Sequence, residues 1–196
     1  YVNNAGTSWA TLRGLTGSVS DDTSASTWFM RIDSDATSNQ WDIIMRSGFL
    51  FNTAAIPDAD AVSSAIFSVY GLSKVDNIGI TPNINVYSFA PASNTSLVTG
   101  DFPNFGTTAY CDTPISYAGF STSGYNDLSL NSIGLAAISL TGVTKLGIRN
   151  ATYDAANVAP TWASGTFSEL QGYFADQTGT SNDPKLVVVH AAAAAP

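Results

Sequence analysis

The sequence predicts an all-β fold, a sandwich of two antiparallel sheets in a single domain. Three observations carry this. Apolar runs of strand length recur along the chain, and clusters of Gly, Pro, Asn, Asp, Ser and Thr separate them. Only one stretch, Asn131 to Ile138 (NSIGLAAI), has the spacing and the N-cap of a helical turn. A chain of 196 residues suits one domain with arms. The expected boundaries are an N-terminal arm or donor strand over residues 1–12, a sandwich over 13–190 and a low-complexity tail over 191–196.

Taken in order, YVNNAGTSWATLRGLTG is polar with spaced apolar residues and reads as a short strand or an arm. Trp28 to Ile32 reads as a strand, SDATSNQ as a turn, and Trp41 to Phe51 as one long strand with Gly48 as a bulge or close approach. A turn around Pro57 leads to a strand over Val62 to Tyr70. Asn83 to Phe89 alternates, with Ile84, Val86 and Ser88 on one face and Asn85, Tyr87 and Phe89 on the other. Residues Ala90 to Gly119 read as loop, Tyr125 to Leu130 as a strand, then the helical turn. Val143 to Arg149 is a strand, Ala151 to Thr166 a loop, and Leu186 to His190 the last strand.

Charge narrows the partners. The chain has 7 Lys and Arg against 15 Asp and Glu, a net charge of -8. Nucleic acid needs clustered cations, and so does an anionic membrane surface, so neither is an expected partner. No segment reaches the roughly 20 apolar residues of a membrane-spanning helix, and no membrane insertion is expected. Charged residues make up only 11%. Ser, Thr, Asn, Ala and Gly fill the deficit, as in exported proteins. The chain starts at Tyr1 rather than Met, which fits removal of a leader.

Catalytic constellations are sparse. Glu169 is the one glutamate, most aspartates sit in turn clusters, and His190 is the one histidine. No nucleophile elbow appears, and the lone Cys111 reads as a small buried hydrophobe. No enzyme activity and no cofactor are expected. Structural calcium is the one metal considered: Asp33, Asp35 and Asn39 are oxygen donors in one turn, RIDSDATSNQW, with Asp21, Asp22, Asp58 and Asp60 as further donors, but without the EF-hand Gly and Glu.

Sugar binding would use aromatic faces. Trp9, Trp28, Trp41, Trp162, Tyr110, Tyr117 and Tyr125 are the aromatics considered, with Trp28 and Trp41 expected in the core. Trp162, Tyr110 and Tyr117 are the stacking candidates. Asn94 (NTS) and Asn150 (NAT) match the N-glycosylation motif.

Several stretches together resemble the DNRLRE-type domain family. FLFNTAAIPDADAVSSAIFSVYG is similar to that family's strand ending before "I-P" and its next strand beginning "V-x-S-A". FADQTGTSNDPKLVVVH is similar to its last segment. LNSIGLAAI followed by VTKLGIR stands where the family places a short helix and a strand. The resemblance covers roughly Trp41 to His190. It implies a jelly-roll sandwich in exported prokaryotic surface proteins, some of them similar to carbohydrate-binding modules. FPNFGTTAYCDTPISYAGF lacks the Trp of the family's middle region, and no sugar-binding residue carries over.

The functional expectation is a non-catalytic, extracellular or cell-surface subunit. It would form a homo-oligomer or filament by docking its N-terminal strand on a neighbour, with bound or covalent glycans as possible partners. The alternative is a carbohydrate-binding module.

Overall fold

The computed structural model describes residues 1–21 and 25–193. Among these residues, eleven strands and two short α-helices run in the order β1 (Val2–Thr7), α1 (Trp9–Gly14), β2 (Thr27–Ser34), β3 (Trp41–Met45), β4 (Ser47–Asn52), β5 (Asp60–Asp76), β6 (Ile84–Phe89), β7 (Phe105–Ala109), β8 (Tyr125–Ser129), α2 (Ser132–Ala136), β9 (Val143–Asn150), β10 (Phe167–Tyr173) and β11 (Lys185–Ala192).

They form two antiparallel sheets. One contains the order β1-β3-β2-β10-β5, with β8 and β11 both on β5; the other is β4-β9-β6-β7. Ile66, Phe67 and Ser68 pair with both β8 and β11, so these two strands lie on opposite edges of β5. The nucleus β2-β10-β5-β8 facing β4-β9-β6-β7 is a jelly roll. Within this nucleus the strands of the two sheets alternate in sequence except at the hairpin β6–β7.

Alternation explains the core. In β2, Trp28, Met30 and Ile32 point inward, and in β10 Leu170 does. Phe67, Val69 and Leu128 add to that wall, and Phe49, Ile84, Val86, Leu146 and Ile148 come from the opposite sheet. Asn131 caps α2 as expected, its Oδ1 accepting from the Ile133 and Gly134 backbone N–H groups at 3.1 and 3.0 Å.

Several expectations change. The long strand expected over Trp41 to Phe51 breaks at Arg46 into β3 and β4, which belong to different sheets. The break has a cause: the Arg46 side chain turns into a buried ion cluster instead of following either sheet. The expected loop over Ala90 to Gly119 holds a 3-10 turn (Thr99–Asn104) and β7. β10 was not expected, because FSELQGY has no clean alternation of apolar and polar residues; Ser168 and Glu169 are buried there beside Leu170. Finally, residues 1–12 do not stand apart from the sandwich. They supply β1 and most of α1, packed against the same chain. Of the expected tail, Ala191 and Ala192 complete β11, and residues 194–196 lie outside the described residues.

Candidate functional site

The N-terminal segment and its seat form the most elaborated polar and apolar arrangement in the molecule. β1 pairs with the outer edge of β3 through Val2 with Ile44, Asn3 with Ile43 and Thr7 with Trp41, with a register shift between Asn3 and Thr7. Gly6 permits that shift. Its φ of 67° lies in the left-handed region, which glycine occupies without strain, and its N–H donates to Asp42 Oδ1 at 2.9 Å. Ser8 then caps α1, accepting from Thr11 N–H through Oγ. The i, i+3 spacing of Trp9 and Leu12 turns both inward.

Val2, Trp9 and Leu12 fill a second apolar cluster with Ile32, Trp41, Ile44, Ile78, Ile80 and Phe102. Trp9 meets Trp41 edge-on at 5.7 Å between ring centroids, a favoured aromatic geometry. Its Nε1 donates to Tyr153 O at 3.4 Å.

The cluster is closed by Asp154, which sits in the π-helical turn Ala151–Ala155 and is 2% exposed. Arg46 donates to it twice, Nε to Oδ2 and Nη2 to Oδ1, both at 2.8 Å. Arg149 does the same at the same distances. Arg13, at the end of α1, reaches Asp154 O at 2.7 Å and Oδ1 at 3.2 Å. Three guanidinium groups thus share one carboxylate, and carbonyls take up the surplus charge. Arg46 donates to Phe102 O and to Arg13 O, and Arg149 to Phe105 O and Gly106 O. Arg46 also stacks over the Phe102 ring at 3.9 Å.

Burial opposes ionisation of Asp154. The Arg46 charge and the hydrogen bonds from Arg149 and Arg46 outweigh it and hold the carboxyl well below the usual range. Burial in turn pushes Arg46 and Arg13 down, against the pull of Asp154.

Of the residues singled out from sequence, Trp9, Trp41 and Trp162 pack in or against this seat and Asn150 caps the turn that carries Asp154, while the others lie elsewhere and mostly apart from each other. Asp33 receives a two-pronged contact from Arg31 at 2.6 and 2.7 Å. Asp35 Oδ1 accepts from Thr37 N–H at 2.5 Å, and Asn39 donates to Ser38 Oγ at 3.2 Å. Each is already engaged, and no group of three His, Cys, Asp or Glu suited to a metal occurs among the described residues. Asp60 pairs with His190, and Asp22 lies outside the described residues.

Trp162 is half-buried against the second cluster and donates to Asp35 O at 3.0 Å. Tyr110 and Tyr117 pack on the main core, with Lys74 5.1 Å from the Tyr117 ring. The three do not make one platform. Asn94 is exposed. Asn150 is not: it is 1% exposed, its Oδ1 accepts from Tyr153 N–H at 2.7 Å, and its Nδ2 is buried. That amide has no room for a glycan in the folded chain. Cys111 is buried, and burial pushes its thiol up to about 12, which keeps it protonated and unreactive at neutral pH.

A groove follows the outward edge of β4. Its two lobes, of about 260 and 240 Å³, share Asp21, Ala25, Gly48, Leu97 and Phe174, and Phe49, Phe51, Phe102 and Phe105 make the lining mostly apolar.

Sequence reasoning missed the Arg13, Arg46, Arg149 and Asp154 cluster. One signal was available. In a chain with only 7 Lys and Arg, an arginine inside the apolar run IIMRSGFLF departs from the surface placement usual for that residue. No protein-family model matches the chain, and no curated protein matches it.

Proposed function

We propose that the chain is a non-catalytic structural subunit of an extracellular filament or surface assembly, linked to a neighbouring copy by exchange of residues 1–12. The observation that carries this reading is the plug-like form of the segment. Its burial is concentrated in Val2, Trp9 and Leu12, all 3% exposed or less, and the buried apolar side chains of its seat, Ile32, Trp41, Ile44, Ile78, Ile80 and Phe102, all lie beyond position 30, while Ser18 and Val19 add hydrogen bonds to Tyr1 and Asn3. It is joined to β2 through residues 15–26, of which the described ones, 15–21 and 25–26, lie outside any strand or helix. The same segment from a second copy can make the same apolar contacts with that seat, so exchange keeps Val2, Trp9 and Leu12 buried at each link. Head-to-tail repetition of such a link does not close and gives a filament.

Kinship with the DNRLRE-type family and a cell-surface location belong to the same proposal, and the exposed Asn94 is the glycan acceptor it favours. The carbohydrate-binding alternative draws less support. The row Tyr125, Tyr70 and Tyr173 on the outer face of the first sheet stands edge to face or tilted, with centroids 5.2 and 6.1 Å apart. Lys185 covers the Tyr125 ring at 3.6 Å, so the row offers no flat platform to a sugar.

Negative-stain electron microscopy of the intact chain beside the chain lacking residues 1–12 tests the reading. Filaments that vanish on truncation are the expected result. Monodisperse particles from the intact chain overturn it.

A further inference from the structure

We propose that β11 is a second, separate association edge, and that its partner is β11 of another copy of this chain, paired antiparallel across a two-fold axis. β11 pairs with β5 along its full length, and its other edge has no strand partner among the described residues. The strand is held firmly from within, since Leu186 and Val188 pack on the main core. Its outward face is apolar. Val187 and Val189 are 55% and 54% exposed, beside Ile66 at 38%.

Monomeric sheet proteins guard such an edge with free charges, proline or a bulge. Here both charge-bearing side chains are engaged inside the chain. Lys185 lies over the Tyr125 ring at 3.6 Å, and His190 Nδ1 is 2.6 Å from Asp60 Oδ2. No proline falls within KLVVVHAA, and the one register shift, between Val189 and His190, lies toward the far end.

The strand is also complementary to itself. In an antiparallel pair centred on Val188, Val187 stands opposite Val189 of the second copy and Val189 opposite its Val187. Both pairs fall on the exposed face, where apolar cross-strand pairs stabilise a sheet. Lys185 then meets Ala191 and Leu186 meets His190, so no like charges oppose each other. The two first sheets would continue into one another across the axis.

Single-cysteine variants read the register directly. Val187→Cys and Val189→Cys, mixed and oxidised, are expected to give more disulfide dimer than either variant alone, because only the mixed pair is directly opposed. Cys111 is 2% exposed and does not interfere. In sedimentation equilibrium at concentrations below filament formation, the intact chain is expected to dimerise and Val187→Lys, a change on an exposed face, to shift it to monomer. Equal cross-linking in mixed and single samples, or a dimer indifferent to Val187→Lys, overturns the proposal, as does an intact chain that is monomeric at its solubility limit. None of these readouts involves residues 1–12, so the failure of this proposal and the failure of strand exchange are separable.

Discussion

The molecule has two apolar clusters built on different principles. The main cluster lies between the sheets and is assembled from alternate residues of long-range strand pairs, with Trp28, Phe49, Phe67 and Leu146 at its centre. The second cluster lies beside β3. It is closed by a sequence-local segment, residues 2–13, and by one carboxylate shared among three arginines. The first is a product of hydrophobic patterning alone. The second depends on a polar lock, because the segment closing it contributes only three fully buried apolar side chains. A cluster of the second kind is the more readily opened as a unit, while opening the first unfolds the domain.

The largest expected effect comes from breaking the lock. Asp154→Asn keeps the shape but leaves Arg46 and Arg149 buried without a counter-charge. It should destabilise by about 3–5 kcal/mol, read from the midpoint of urea unfolding. A change below about 1 kcal/mol would mean that the carbonyls alone satisfy the arginines.

The pH dependence follows with a definite sign. The folded carboxyl of Asp154 is depressed below the ordinary 3.8. Its contribution is therefore fully present above that value and is lost as pH falls toward the folded pKa. Between about pH 5 and pH 2 the stability of the parent chain should fall more than that of Asp154→Asn, and parallel curves would contradict the assignment.

Truncations in the two clusters sharpen the comparison. Phe67→Ala and Trp9→Ala remove side chains 0% and 3% exposed, and each should cost about 3–5 kcal/mol. Hydrogen exchange separates them. Phe67→Ala should speed exchange throughout both sheets. Trp9→Ala should act chiefly on β1, α1 and β3, and a uniform effect would merge the two clusters into one cooperative unit.

The legible and illegible parts divide along the same line. The apolar run WFMRI, the alternation in INVYSF, the turn at Pro57 and the cap at Asn131 are local signals, and each found its element. The sandwich followed from them. The corner at Arg46 was not legible, because what turns the chain there is Asp154, far away in sequence in a stretch read as loop. β10 was hidden for a related reason: Glu169 is buried beside Arg31, with a contact at 3.2 Å, so a charge sits where patterning expects an apolar residue. Asn150 shows the converse, since a glycosylation motif is a local pattern and says nothing about burial.

A smaller test probes the outer face of the second sheet. A Cβ on Gly48 would lie 2.4 Å from Phe89 Cε1, and that ring is stacked on Phe105 with centroids 4.0 Å apart. Gly48→Ala should therefore cost about 1–3 kcal/mol through overpacking, while leaving the N-terminal seat intact by hydrogen exchange. The smallest expected effect is Asn131→Ala, the loss of a cap, at about 1 kcal/mol in thermal unfolding.

The most direct measurement of strand exchange uses two variants that cannot cross-link within one chain. Asn3 and Ile43 are directly paired between β1 and β3. Asn3→Cys and Ile43→Cys, prepared separately, mixed under assembly conditions and oxidised, should yield a covalent heterodimer, because the cysteine of one chain's segment comes to lie against β3 of the other. If the mixture oxidises to no heterodimer, while the double variant Asn3→Cys with Ile43→Cys closes its bond within a single chain, the segment stays with its own sandwich and the subunit reading is contradicted.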